Sequence, residues 1–212
     1  MTTNTDKKTI ALALTGASGM QYAMRLLECL LQANHRVYLL ASKPARIVLK
    51  MDMDIALPAR AEDAEAFLSK RFNTDAGQLR VFGQDEWTAP VASGSSAPDA
   101  LVVCPCTTGT LSAIACGNCN SLIERAADVV LKEKKQFILM PREMPFSEIH
   151  LENMLKLARM GAIIMPPNPG FYNKPETLDD IIDFVVARIL DHLGIEQTLT
   201  PEWGSEKLSR IK

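Results

Sequence analysis

Thr9-Ile-Ala-Leu-Ala-Leu-Thr-Gly-Ala-Ser-Gly-Met-Gln-Tyr-Ala-Met-Arg-Leu-Leu-Glu-Cys-Leu-Leu31 decides how the chain is read. Ile10 to Leu14 is an unbroken apolar run, as a strand covered on both faces requires. Thr15-Gly16-Ala17-Ser18-Gly19 follows, a run of small residues only. Beyond it Met20, Ala23, Met24, Leu27, Leu30 and Leu31 recur at helical spacing. A strand, a tight small-residue loop and a helix in that order predict an anion cradle. Free N–H groups and the positive end of the helix dipole face outward at such a turn. The hydroxyls of Thr15 and Ser18 are expected to add hydrogen bonds. The loop does not name its ligand. It lacks the third glycine of G-x-G-x-x-G and the Lys-Ser/Thr of a P-loop. A second reading stays open, in which the glycines merely let the helix pack closely on the strand.

Downstream the same alternation repeats. His35–Ala41 reads as a strand ending in Ser42-Lys43-Pro44, and Ala45–Met51 as a short helix closed by Asp52-Met-Asp54. Glu62–Arg71 is a helical stretch, Leu79–Phe82 a strand, and Gly83–Pro98 a long loop carrying Trp87 and Ser93-Gly94-Ser95-Ser96. Ala100–Cys104 is a buried strand followed by Thr107-Thr108-Gly109-Thr110, a second strand, small loop and helix signal. Ser121–Lys135 reads as a helix, Gln136–Met140 as a strand, and Ser147 as the cap of a helix running to Arg159. Ala162–Met165 is a last strand, 166–175 an irregular loop rich in proline, and Thr177 the cap of a final helix through Leu193. Strands alternating with helices predict an α/β fold, a doubly wound and mostly parallel sheet in a three-layer sandwich of flavodoxin-like or Rossmann-like type. Ligands of such sheets sit beyond the strands' carboxyl ends. Ser18, Ser42, Thr107–Thr110, Arg142-Glu143 and the 166–175 loop all follow strands, so they are expected to converge on one crevice. That crevice suits a ligand with a phosphate and a large flat part, such as a nucleotide or a flavin.

The 212 residues, 47% hydrophobic and 23% charged, suit one domain over 1–212 with peripheral tails at about 1–8 and 197–212. A net charge of −2 argues against a nucleic-acid or membrane surface. No apolar run is long enough for a membrane span, and Met1–Lys8 is too polar for a signal peptide, so a cytoplasmic location is expected. Five cysteines, an odd number, argue against a disulfide framework. Cys104-Pro-Cys106 and Cys116-Gly-Asn-Cys119 have metal-pair spacing, but no histidine clusters with them and no metal is expected.

Among groups suited to chemistry, Glu143 sits in a loop pinned by Pro141 and Pro145. Partial burial there would suit it to proton transfer; a salt bridge is the alternative. Arg125 and Lys132 lie seven apart on one helix face, as a phosphate clamp or as a solvated face. Arg188 lies at the edge of an apolar stripe, where it must reach an anion or snorkel. The Tyr172 phenol offers a phosphate partner, with loop packing as its other reading, and Trp87 offers a π face for a cation, though an isolated tryptophan more often packs a core or loop.

Taken together, Thr15-Gly-Ala-Ser-Gly19, Ser93-Gly-Ser-Ser-Ala-Pro98, Cys104-Pro-Cys-Thr-Thr-Gly-Thr110, Leu122-Ile-Glu-Arg-Ala-Ala-Asp128, Pro141-Arg-Glu143, His150-Leu-Glu-Asn-Met154 and Pro169-Gly-Phe-Tyr172 resemble the UbiX-type flavin prenyltransferases, in order along nearly the whole chain. The resemblance implies a flavodoxin-like fold and, usually, a dodecamer. It implies metal-independent transfer of a dimethylallyl group from dimethylallyl phosphate to N5 and C6 of reduced FMN. The product, prenylated FMN, would serve a partner decarboxylase, commonly in ubiquinone biosynthesis. Gly16, Ala17, Ser18, Ser42, Thr107, Thr108, Gly109, Thr110 and Arg142 match FMN-binding positions. Ser93, Arg125, Lys132, Tyr172 and Arg188 match positions around the prenyl phosphate. Glu143, linked with Ser18, matches the proton-transfer pair, and Trp87 the aromatic wall near the allyl cation. The chain departs from the pattern at Asp52, where the family carries glutamate near flavin N5. Arg125 and Lys132 sit on a helix that leads away from the crevice, so they are expected to serve a neighbouring subunit's site.

Overall fold

The computed structural model describes residues 7–201, and the outer parts of both expected tails lie outside that range. Six parallel strands form one sheet: β1 (Thr9–Leu14), β2 (Arg36–Ala41), β3 (Leu79–Phe82), β4 (Ala100–Cys106), β5 (Gln136–Pro141) and β6 (Ile163–Ile164), in the order β3-β2-β1-β4-β5-β6. The helices are α1 (Met20–Gln32), α2 (Lys43–Met53), α3 (Ala61–Phe72), α4 (Thr108–Ala115), α5 (Leu122–Lys132), α6 (Glu148–Arg159) and α7 (Leu178–Leu193).

The alternation of β1 sorts its side chains between two cores. Ile10, Leu12 and Leu14 face the layer of α1, α2, α3 and α7, while Ala11 and Ala13 face that of α4, α5 and α6. Both faces are covered, which explains the apolar run. Truncating a fully buried residue such as Leu12 to alanine costs about 2–5 kcal/mol. The α1–α7 packing is tied by Arg25, which bonds Asp183 at 2.7 Å and Glu28 at 2.7 Å.

Helix starts follow the residue types. Ser42, Thr107, Ser121, Ser147 and Thr177 each accept a first-turn N–H, from Ala45, Thr110, Glu124, His150 and Asp180 respectively. Some boundaries differ from expectation. Helix α2 spans Lys43–Met53 rather than Ala45–Met51, and it closes within the expected Asp52-Met-Asp54, at Asp54 in the left-handed conformation. Strand β4 continues through Pro105 to Cys106, with a register irregularity between Val103 and Cys106. Helix α5 stops at Lys132 because the chain turns at Lys134, φ 54°.

The strand order reverses between β1 and β4, so the loops after these two strands flank the switch point where doubly wound sheets bind ligands.

Candidate functional site

Three strand-end loops are cross-linked at the switch point. The Thr15 hydroxyl donates to the Pro105 carbonyl at 2.8 Å and accepts from Thr107 N–H at 2.8 Å. Thr15 is buried, so its hydroxyl serves the neighbouring loop rather than a ligand, contrary to expectation. On the other side, Ser42 N–H donates to the Leu14 carbonyl at 3.0 Å. Gly16 lies against the first turn of α2, where a Cβ would come within 2.4 Å of Pro44 Cβ. Only glycine lets these two loops approach so closely.

The expected anion cradle at the start of α1 is already filled from within the protein. Gly19 is the N-cap, at φ 111°, and offers no side chain to the first turn. The Asp52 carboxylate takes that place, accepting from Gly19 N–H at 2.7 Å and from Met20 N–H at 3.1 Å. It also accepts the Ser18 hydroxyl, at 3.1 Å to Oδ1 and 3.2 Å to Oδ2. Gln21 Nε2 donates to the Asp52 carbonyl at 3.1 Å. Local pattern missed this contact because Asp52 lies on another helix, 33 residues from Gly19. A signal was present nonetheless: a glycine N-cap must borrow its acceptor from elsewhere. The donors left to a ligand are the N–H groups of Gly16 and Ser18, which meet no protein acceptor among the described residues.

Arg142 closes the ledge. Its N–H donates to the Cys106 carbonyl at 3.2 Å and its Nε to the Ser18 carbonyl at 3.1 Å. Arg142 forms no ion pair among the described residues, so its guanidinium remains available to an anion. Glu143 was expected to be partly buried; in the subunit it is exposed, its carboxylate accepting Met144 N–H at 3.2 Å. The link between this loop and Ser18 runs through Arg142, since the Ser18 hydroxyl is given to Asp52 rather than to Glu143.

Ser93, Arg125 and Lys132 form a separate group. Arg125 Nε donates to the Ala92 carbonyl at 3.0 Å, and its Nη1 pairs with Asp128 at 2.8 Å. Lys132 pairs with Glu133, and both lie against Gly94. The Ser93 and Ser95 hydroxyls are 3.1 Å apart. Among the described residues no hydrogen bond or ion pair joins this group to Ser18, Asp52 or Arg142. Trp87, in the same long loop, is 48% exposed. Arg188 pairs with Asp191 at 2.6 Å on the exposed side of α7. Tyr172 packs edge-on against Phe184, ring centres 5.7 Å apart, so its loop is anchored to α7. Each of Arg125, Lys132 and Arg188 thus carries a carboxylate partner.

Two clefts measure about 790 and 580 Å³. The larger lies among α1, α3, α7 and the end of α2, where Gln21 and Met53 line it, and the smaller among the ends of α4, α5 and α6, reaching Lys132. Gly16, Ser18, Thr107 and Arg142 line neither. Cys104 and Cys106 are buried, and burial pushes both thiols up, that of Cys106 to about 12. Cys116 and Cys119 are exposed at the end of α4. Among the described residues no three of His, Cys, Asp and Glu group as a metal site would require.

A doubly wound sheet with donor-rich loops at its switch point defines a protein of the phosphate-ligand-binding α/β class. The family model described as Flavoprotein matches residues 1–190. Flavin prenyltransferase UbiX of Pseudomonas aeruginosa is 58% identical over 199 residues, covering 94% of this chain and 95% of that protein. A solved structure of AnUbiX (PadA1) in complex with FMN and dimethylallyl pyrophosphate matches with a TM-score of 0.83 at 37% identity, covering 94% of this chain and 98% of that one. A dodecameric FMN-dependent UbiX-like decarboxylase from Escherichia coli O157:H7 matches at 0.80 and 39% identity, covering 93% and 100%. The chain belongs to the UbiX-type flavin prenyltransferases.

Proposed function

We propose that this protein transfers the dimethylallyl group of dimethylallyl phosphate to reduced FMN without a metal, joining it at N5 and C6 and releasing inorganic phosphate. The recipient of the prenylated FMN is a partner decarboxylase, in ubiquinone biosynthesis. The observation that carries the reading is the switch-point ledge, where Arg142 bonds the Ser18 carbonyl and, among the described residues, forms no ion pair, and where the N–H groups of Gly16 and Ser18 meet no protein acceptor among those residues. The complex of AnUbiX (PadA1) with FMN and dimethylallyl pyrophosphate supports it.

FMN fits the ledge. Gly16, Ala17, Ser18, Ser42, Thr107–Thr110 and Arg142 would hold it, with one cation and several backbone donors for a phosphate-bearing flavin. When bound it supplies the nucleophilic ring that receives the prenyl carbon. The remaining work falls to this chain. Arg125, Lys132 and Arg188 exchange their carboxylate partners for the prenyl phosphate, with Ser93 and Tyr172 as hydrogen-bond partners. Stabilising charge on that leaving group is the largest lever available to the site. Glu143 gives a proton to the departing phosphate oxygen, and Trp87 offers its π face to the allyl cation. Asp52 acts near N5.

Within one subunit no hydrogen bond or ion pair joins the ledge to the cation group among the described residues, which favours a homo-oligomer with shared sites. Met144, apolar and 88% exposed beside Glu143, is consistent with a neighbouring subunit there, and so is the dodecameric relative. Phosphate release tests the activity. The protein should liberate inorganic phosphate from dimethylallyl phosphate only when reduced FMN is present. FMN binding without release would make it a flavin store instead.

A further inference from the structure

One carboxylate lies against the turn that carries Ser93. Glu133 pairs with the Lys132 ammonium, and both side chains lean over Gly94. A Cβ at that position would stand 2.8 Å from the Glu133 carboxyl carbon and 2.8 Å from Lys132 Nζ, closer than real Cβ atoms come. The glycine therefore makes room for the pair. Ser93 and Ser95 flank it in the same turn, their hydroxyls 3.1 Å apart. The backbone holds Glu133 in place. Its N–H closes α5 by donating to the Val129 carbonyl at 3.0 Å, and the chain turns away at Lys134, φ 54°. The hydrogen bond and charge of Lys132 hold the Glu133 carboxyl below its ordinary value, so it is ionised at neutral pH. Both side chains are partly open to solvent, 47% for Lys132 and 37% for Glu133, which leaves the carboxylate free to swing out.

We propose that Glu133 is a resident anion of the phosphate seat. It yields Lys132 to the incoming prenyl phosphate and takes it back once the ester bond has broken, so that inorganic phosphate is expelled. The proposal rests on the reading of Lys132 and Ser93 as partners of the prenyl phosphate. A phosphate that reaches Lys132 beside Ser93 meets this carboxylate and has to move it. Like charges a few ångströms apart repel, and a carboxylate bonded to the ammonium competes for the same donors. Glu133 therefore weakens every phosphate at this seat. The ester keeps the binding of its apolar group, which the seat does not oppose. Inorganic phosphate has only its charge and its hydrogen bonds, so the competition falls hardest on the product. The glycine at 94 is the sequence trace of this arrangement, because any larger residue there would press the carboxylate away from the turn.

The test uses inorganic phosphate as the probe and the assembled full-length protein. Its dissociation constant is read by isothermal titration calorimetry at fixed ionic strength, and its inhibition constant against dimethylallyl phosphate is read in turnover. Glu133→Gln keeps the shape and removes the charge. It should tighten phosphate by about fivefold or more in both measurements, the effect of one unit charge at about 4 Å near water. Lys132→Ala should weaken phosphate by about tenfold or more, which places the probe at this seat. Tighter binding cannot come from a damaged fold, so a gain in the glutamine variant is direct support. Weaker phosphate binding in Glu133→Gln would mean that the carboxylate only orders Lys132, and an unchanged constant would mean that the pair opens without cost; both results overturn the proposal. Phosphate affinity untouched by Lys132→Ala would overturn it too, because the seat would lie elsewhere. Phosphate binding by calorimetry needs neither flavin nor turnover. A protein that shows the predicted shifts but transfers no prenyl group refutes the proposed activity and leaves the role of Glu133 standing.

Discussion

Thr15 and Thr107, 92 residues apart, share a 2.8 Å hydrogen bond across the point where the sheet order reverses. The Thr15 hydroxyl completes the link by donating to the Pro105 carbonyl at 2.8 Å. Both bonds are held by a side chain that is 1% exposed. Thr15→Val keeps the shape and leaves Thr107 N–H and the Pro105 carbonyl without that partner. We expect a loss of about 1–3 kcal/mol in denaturant unfolding and weaker FMN binding by fluorescence titration. Thr15→Ser should keep most of both. Unchanged stability in the valine variant would mean that water replaces the hydroxyl.

Stability should fall at mildly acidic pH because of His35. Burial, with Lys8 and Lys7 adding to it, holds this imidazole below its ordinary value of 6.5. Its Nδ1 accepts Lys8 N–H at 3.2 Å, a bond that needs the unprotonated nitrogen. The unfolded chain therefore binds the proton more readily than the folded one. The stabilisation is complete above pH 6.5 and is lost as pH falls from there toward the lower folded value. Denaturation midpoints measured down this range should drop in wild type and flatten in His35→Gln. An equal slope in both proteins would assign the effect to other groups.

Much of the frame is legible in the chain because its causes are local. The run Ile10–Leu14 is apolar on both faces of β1, and Ser147 and Thr177 cap the helices they precede, because each rule acts within four residues. The fine structure of the ledge is not legible, because its causes are distant. Gly19 takes its cap from Asp52, and Thr15 spends its hydroxyl on Pro105 and Thr107. Periodicity does not record such contacts. The pairing of Arg125 with Asp128 and of Lys132 with Glu133 is local, but whether a cation faces a carboxylate or a ligand depends on what packs over the helix. In this case that is the 90–96 segment, which no spacing rule brings there.

Glu143→Gln should bind FMN as wild type does and slow prenyl transfer by ~10²–10⁴-fold, the usual contribution of a proton-transfer group. Glutamine retains the shape and removes the exchangeable proton. Single-turnover rates on reduced FMN check this. A rate within about twofold of wild type would remove Glu143 from the chemistry.

A site shared between subunits, as proposed for Lys132 and the Arg142 ledge, predicts complementation. Lys132→Ala and Glu143→Gln should each be nearly inactive alone. Mixed under subunit exchange, some interfaces pair an intact Lys132 with an intact Glu143, and activity should partly return. A mixture no more active than its components would place each site within one chain.

Mass analysis of the flavin tests the account most directly. The protein is incubated anaerobically with reduced FMN and dimethylallyl phosphate, and the released flavin is weighed. The account predicts a flavin heavier by one prenyl unit, with one inorganic phosphate formed for each flavin modified. Unmodified FMN after phosphate release, or FMN bound with no phosphate formed, would contradict it.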